Sequence, residues 1–165
     1  TKYAAEKYIR EHALQFAIVR ISWLYGRRGR SFPRTILEKV AAVDHLKVVS
    51  DQIGRPTYTH DIAEAFKQLL TKNLNRLIKA NGEIFHFANE GATSLFEFAQ
   101  EILKIKNCND ISVDPIFTHE IMRPANRPLN SVLSLVKSKA RLGIQPRSWQ
   151  EALKDFIQEL EEELS

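Results

Sequence analysis

A chain of 165 residues with 24 Lys and Arg against 20 Asp and Glu, a net charge of +4, is long enough to bury one core and too mildly basic to mark a polyanion-binding protein. Hydrophobic residues make up 44% and charged residues 27%, without low-complexity tracts or internal repeats, which excludes disordered, fibrous and repeat classes. No apolar run approaches membrane-spanning length, no basic face with stacking aromatics marks nucleic-acid binding, and the five histidines are scattered without metal-ligand spacing; Cys108, alone, forbids an intrachain disulfide and suits the cytoplasm.

The first element is a helix over residues 2–12, where Ala4, Ala5, Tyr8, Ile9 and His12 recur at helical spacing. It begins without a cap or turn, as expected of a piece of a longer protein whose only methionine is Met122. Residues 15–22 follow as a strand, and Phe16 to Ile21 is nearly all apolar and β-branched, the pattern of a central strand covered on both faces. It empties into Trp23, Tyr25 and Gly26 and then a loop bearing Arg27, Arg28, Arg30 and Arg34. Ligands of open α/β sheets bind outside the carboxyl ends of strands, so a site is expected here.

A helix over about 32–43 tolerates Pro33 in its first turn. A short strand at 46–49 leads to an irregular segment, 51–58, shaped by Gly54 and Pro56. Asp61 opens a helix whose apolar face is Ile62, Phe66, Leu69 and Leu70; residues 71–75 end it, and Asn81-Gly82 is a turn before a strand at 83–88. Ser94 and Glu97 form a capping box for a helix that buries Leu95, Phe98, Ala99, Ile102 and Leu103. A weaker strand at 111–117 precedes a stretch kept irregular by Pro115, Pro124 and Pro128. Ser148 and Glu151 make a second capping box, for a terminal helix with Trp149, Leu153, Phe156, Ile157 and Leu160 on one face. Its acidic end, Glu159 and Glu161 to Glu163, reads as a solvated tail that frays, because acids there oppose the helix dipole. The alternation is that of an α/β protein, without the Gly-rich fingerprint that cradles a dinucleotide pyrophosphate.

Four motifs stand out: Thr1-Lys2 with Glu6, Ser22-Trp23-Leu24-Tyr25-Gly26, Asp51-Gln-Ile-Gly-Arg-Pro-Thr57, and Arg127-Pro-Leu-Asn-Ser131-Val-Leu. Together they resemble the extended short-chain dehydrogenase/reductases, most closely the dTDP-4-dehydrorhamnose reductases, and the resemblance covers essentially the whole chain as the C-terminal half of such an enzyme. It implies an α/β fold with a remnant of the Rossmann NAD(P)-binding domain over residues 1–30. Residues 31–165 would be mainly the substrate-binding lobe, with some segments returning to the Rossmann sheet. The implied activity is reduction of the C4 ketone of dTDP-4-dehydro-L-rhamnose to dTDP-L-rhamnose, with NADPH (or NADH) bound mostly by the absent N-terminal half and the isolated chain inactive. Another sugar-nucleotide epimerase or dehydratase, or a non-catalytic regulatory subunit, are the alternatives on this scaffold. The partner is a dTDP-sugar, with neither nucleic acid nor membrane. A sheet edge left by a missing half leaves room for a homodimer.

The family's catalytic pair is a Tyr followed four residues later by a Lys, written Tyr-x-x-Thr-Lys-x-x-x-Glu. Thr1, Lys2 and Glu6 match it, so the resemblance makes Lys2 the catalytic lysine, which lowers the pKa of the general-acid Tyr and holds the cofactor ribose. Tyr3 and Lys7 satisfy the bare spacing on one helix face, but Lys7 shortens the distance to Trp23 that the reductases keep. Trp23 would line the deoxysugar pocket; on the residues alone it is equally a core tryptophan. Ser22 and Leu24 would lie beside the nicotinamide through their backbone. Arg55 and Arg127 would face the substrate, with Gln52 and Thr57 offering further polar groups; Asp51 to Thr57 is equally a scaffold turn. Arg123-Pro124 nearly repeats Arg127-Pro128. Arg27, Arg28, Arg30 and Arg34 suit a diphosphate, although each alone reads more simply as solvated.

Overall fold

The computed structural model describes residues 1–122 and 124–164. In chain order these form α1 (Lys2–His12), β1 (Ala17–Ile21), β2 (Leu24–Tyr25), α2 (Phe32–Val40), β3 (His45–Val49), β4 (Ile53–Gly54), β5 (Thr57–Tyr58), α3 (Thr59–Lys72) and α4 (Leu74–Ile78). There follow β6 (Glu83–Phe87), β7 (Thr93–Ser94), α5 (Leu95–Ile105), β8 (Ser112–Ile116) and α6 (Trp149–Leu164). The longer helices and strands fall close to where the sequence predicts them; α4 is additional, in a stretch where the sequence predicts the end of α3 and a turn. Arg123 lies outside the described residues.

The α/β expectation holds in the pairing. β1 runs parallel to β6 with Arg20 opposite His86, β3 parallel to β8, and β2 parallel to β5; only β4 and β7 are antiparallel. Alternation gives β1 two different faces. Arg20 donates twice to the Glu6 carboxylate, at 2.7 and 2.8 Å, and so ties α1 to one face. Val19, on the other, packs with Phe85 against Leu69 of α3 and Leu142.

The apolar sequence of β1 predicts cover on both faces, yet Ile21 is 41% exposed and no residue of α1 is buried. Among the described residues β1 has one neighbour, β6, so in this chain it is an edge strand. The apolar face of α3 is likewise only partly covered: Leu69 is buried, whereas Phe66 and Leu70 are exposed.

The main core lies elsewhere. Phe98, Ala99, Ile102 and Leu103 of α5 meet Trp149, Leu153, Phe156 and Ile157 of α6, both at the spacing of a single helix face. Tyr25 and Tyr58, adjacent across β2 and β5, stack with centroids 5.4 Å apart, and both meet the Phe156 ring edge-on. The first capping box forms as read: the Ser94 hydroxyl accepts from Glu97 N–H at 3.0 Å, and the Glu97 carboxylate accepts from Ser94 N–H at 2.8 Å. That backbone donor holds the Glu97 carboxyl below its ordinary value. A carboxylate depressed in the folded state adds stability above its unfolded pKa, about 4.3, and loses it as pH falls through the lower folded value. Glu97→Ala is therefore expected to cost about 1 kcal/mol at neutral pH, by urea denaturation, with a deficit that shrinks below about pH 4. A deficit independent of pH would remove Glu97 from the account.

The acidic end of α6 departs from the solvated tail expected. Glu159 accepts from the Tyr58 hydroxyl at 2.5 Å, Glu161 pairs with Lys106, and Glu163 accepts from Arg27 at 2.6 Å. Cations and a phenol from three other segments offset the dipole term that the helix alone would impose.

Candidate functional site

At the carboxyl end of β1 the backbone turns sharply. Trp23 has φ 47°, a left-handed conformation that is a true outlier for so bulky a residue. Three hydrogen bonds hold it. The Thr57 hydroxyl donates to Ser22 C=O at 2.6 Å, Thr57 N–H donates to Trp23 C=O at 3.1 Å, and the Ser22 hydroxyl donates to Arg55 C=O at 3.1 Å. The indole then lies flush on Gly54, where an added Cβ would sit 2.3 Å from Trp23 Cε2. Gly54 is glycine because an aromatic ring occupies the space of its side chain.

The Asp51–Tyr58 segment is bonded in several directions at once. Asp51 accepts from Thr118 N–H at 3.0 Å and from its hydroxyl at 2.6 Å, and that hydroxyl holds the Asp51 carboxyl below its ordinary value. Gln52 donates to the Thr118 hydroxyl at 3.0 Å. Tyr58 N–H donates to Asn89 Oδ1 at 2.9 Å, while Pro56 C=O accepts from Asn89 N–H. Thr57 is fully buried. Gln52 and Thr57 thus direct their hydrogen bonds into the fold, which is the scaffold alternative for those two. Arg55 reaches Glu90 at 3.3 Å, and its Nε is buried with no acceptor.

A cleft of about 380 Å³ opens beside this segment. Its wall carries four aromatic rings, Trp23, Tyr25, Phe32 and Phe98, and its cations are Lys39 from α2, Lys47 from β3 and Arg127. No carboxylate lines it among the described residues, and neither Lys39 nor Lys47 has an ion-pair partner there. Burial, with Asp61 adding to it, pushes the Tyr25 phenol far above its ordinary value, so Tyr25 contributes a neutral ring. Such a lining matches a ligand with flat or apolar rings and concentrated negative charge.

Of the residues singled out in the sequence, the cleft brings together Trp23, Leu24, Gln52 and Arg127. Ser22, Arg55 and Lys2 lie outside its lining. Lys2 begins α1, and the Glu6–Arg20 pair sets the register: one turn back from Glu6, roughly 6 Å, brings the helix start to the level of the carboxyl end of β1. Tyr3 is 75% exposed and Lys7 pairs with Glu11 at 3.7 Å on open surface. Arg27 is committed to Glu163, and Arg34 donates to the Arg27 carbonyl. The lysines were missed, although Lys39 shares a helix face with Thr35 and Ile36 at i, i+3 and i+4. Also missed was Arg147, whose guanidinium meets Asp61 at 2.8 to 3.0 Å and also Asp155, while Asp61 accepts from the buried Asn89.

Gly29 and Gly82 face open space, and the space beside the other four glycines is filled by this chain's own side chains. Among the described residues no group of His, Cys, Asp or Glu is arranged to hold a metal ion, and no helix is long and apolar enough to cross a membrane.

A family model described as RmlD substrate binding domain matches residues 1–162. The chain is 36% identical over 159 residues to the spore coat polysaccharide biosynthesis protein SpsK of Bacillus subtilis, covering 96% of this chain and 53% of that protein. It is 38% identical over 144 residues to the dTDP-4-dehydrorhamnose reductase of Aggregatibacter actinomycetemcomitans, covering 84% and 49%. The crystal structure of the Bacillus anthracis dTDP-4-dehydrorhamnose reductase in complex with NADP superposes with a TM-score of 0.85 at 34% identity, over 96% of this chain and 53% of that one. The chain spans about half the length of the curated relatives it matches.

Proposed function

The chain belongs to the RmlD substrate binding domain family, and on that premise we propose that it is the sugar-nucleotide-holding part of an NADPH-dependent dTDP-4-dehydrorhamnose reductase, an enzyme that reduces the C4 ketone of dTDP-4-dehydro-L-rhamnose to dTDP-L-rhamnose. The observation that carries this is the cleft: four rings, three cations and no acid, the complement of a nucleoside diphosphate joined to a sugar. Trp23 is the platform for the deoxysugar ring. Arg127, with Lys39 and Lys47, neutralises the diphosphate; this replaces the arginine-rich loop as the main anion site, since Arg27 and Arg34 already have partners.

Residues 1–30 belong with the dinucleotide domain and residues 31–165 mainly with the substrate lobe, β6 returning to pair with β1. When bound, NADPH supplies the hydride; its pyrophosphate is held mostly outside this chain, whose sequence has no Gly-rich strand-turn-helix fingerprint. Lys2, at the start of α1, holds the cofactor ribose and lowers the pKa of a general-acid tyrosine that this chain does not contain, and Ser22 and Leu24 flank the nicotinamide. Arg55, paired with Glu90 outside the cleft lining, is left out of this reading. The reaction belongs in the cytoplasm, and the isolated chain binds nucleotide without reducing ketone.

Calorimetric titration of the chain with dTDP and with thymidine tests the cleft. The diphosphate is expected to bind at least about tenfold more tightly, with an advantage that shrinks as salt is raised. Lys39→Glu together with Lys47→Glu should lower dTDP affinity by about tenfold or more and leave thymidine nearly unchanged. Equal binding of the two ligands would remove the diphosphate site.

A further inference from the structure

We propose that His45 and Asp114 form a proton-operated selector beside the cleft. When the imidazole is charged it holds Asp114 away from Lys47, and the cleft binds its sugar-nucleotide anion more tightly. When the imidazole is neutral, Asp114 competes for Lys47 and the affinity falls. This regulation rests on the functional reading above, because it acts on the same site.

In the parallel pair of β3 and β8, His45 stands opposite Ser112 and Lys47 opposite Asp114. All four residues are exposed, and alternation puts them on one face, while Leu46 and Val48 are buried on the other. Opposite charges that face each other across a ladder ordinarily pair. Lys47 and Asp114 do not. Asp114 instead meets His45 Nε2 at 3.4 Å, diagonally across the strands, and Lys47 has no ion-pair partner among the described residues. Lys47 lines the cleft together with Lys39 and Arg127. The carboxylate that faces Lys47 in register is therefore engaged by a group whose own charge depends on pH.

Histidine is the side chain that ordinarily changes charge between about pH 5 and 8. Both forms of His45 have partners here. Neutral, its Nδ1 accepts from the Ser112 hydroxyl at 2.8 Å and its Nε2–H faces Asp114. Charged, Nδ1–H donates to the same hydroxyl oxygen, whose proton turns to the Asp44 carbonyl at 3.4 Å. Protonation thus strengthens the hold on Asp114 and adds a positive charge two positions from Lys47, roughly 7 Å along the strand. Both changes favour an anion in the cleft, so affinity rises as pH falls through the histidine range. On the buried face, α5 packs against Leu46 and Val48; its Glu101 pairs with Lys104 and its Glu97 with Ser94. On the cleft side α2 brings Lys39. His119 stacks on Phe117 and lines a neighbouring cavity with Arg127, a background that substitution of His45 leaves in place.

The test is calorimetric titration with dTDP-L-rhamnose at about pH 5.5 and about pH 8, since a diphosphate esterified at both ends keeps its charge across that range and free dTDP does not. The wild-type chain should bind about threefold more tightly at the lower pH in dilute buffer, with a ratio that shrinks as salt is raised. His45→Gln bridges Ser112 and Asp114 without a charge, and should hold the affinity at the wild-type value of the upper pH under both conditions. Asp114→Asn should do the opposite and bind at both pH values as tightly as the wild type does at the lower one, a gain that a merely structural role would not produce. Three results overturn the selector while binding itself still supports the functional reading: a flat wild-type profile, a His45→Gln chain that keeps the dependence, or an Asp114→Asn chain that binds no better at the upper pH. No binding at either pH overturns the reading and the selector together.

Discussion

Replacing Gly54 with alanine is expected to destabilise the protein by about 1–3 kcal/mol and to lower its affinity for dTDP in the same variant. The new methyl carbon would lie 2.3, 2.6 and 2.7 Å from three indole atoms of Trp23, so one of the two groups must move. Trp23 has little room to retreat through its backbone, because Thr57 pins the carbonyls on either side of its Cα in a left-handed turn. The indole must instead tip into the cleft that it lines, the volume a nucleotide-sugar would fill. Gly29→Ala is the contrasting control: it imposes a side chain on a left-handed residue, φ 81°, which Gly54 is not, and its Cβ meets nothing within 4 Å. That variant should lose about 1–2 kcal/mol from backbone strain and bind dTDP normally. Urea denaturation and dTDP titration of both variants decide the matter. Wild-type stability and affinity in Gly54→Ala would mean that the ring is not wedged there.

Asp61→Ala is expected to lower stability by about 2–3 kcal/mol, somewhat less than the 3–5 typical of a fully buried pair, because a third of the Arg147 side chain stays in water. The loss has two parts. Arg147 keeps a half-buried guanidinium with only Asp155 left to it, and Asn89, itself fully buried, loses the nearer of its amide's two acceptors and keeps only the Arg147 carbonyl at 3.4 Å. Asn89 also accepts from Tyr58 N–H, so the damage reaches the end of the segment that holds Trp23. A double-mutant cycle with Arg147→Met measures the coupling, which should be at least about 1 kcal/mol. Additive losses would show the two side chains to be independent.

What the sequence disclosed about the fold was whatever local rules govern. Both capping boxes formed because Ser94 with Glu97, and Ser148 with Glu151, carry their partners three residues away. The two-residue strands β2, β4, β5 and β7 have no periodicity to detect; they exist because the Trp23 turn sets Leu24 beside Thr57, and because the fold sets Ile53 beside Ser94, 41 residues away. The exposure of β1 was illegible for another reason. Its apolar residues specify neighbours on both sides, and composition does not say which neighbours the chain itself provides. At the site, motifs drew attention to arginines near Trp23, whereas the cations of the cleft are lysines 16 and 24 positions downstream of it, brought in by α2 and β3. Arg147 escaped notice because Asp61 lies 86 residues away.

The many-sided bonding of Asp51–Tyr58 has a consequence for the order of assembly. Its partners are separated from it by 31 residues at Asn89, 35 at Ser22, 67 at Thr118 and 101 at Glu159. Contacts so distant along the chain form late and slowly, since each closes a large loop before any local reward arrives. During synthesis at roughly 5–20 residues per second, the segment waits on the order of 5–20 s for Glu159 to appear. β4 meanwhile waits for β7, about 40 residues downstream, and a longer apolar strand would invite pairing with other nascent chains. The break at Arg55-Pro56 leaves each strand two residues long, and Pro56 has no N–H to offer an intruder. The residues that shape the seat of Trp23 in the finished protein thereby also keep the exposed strands of the unfinished one short.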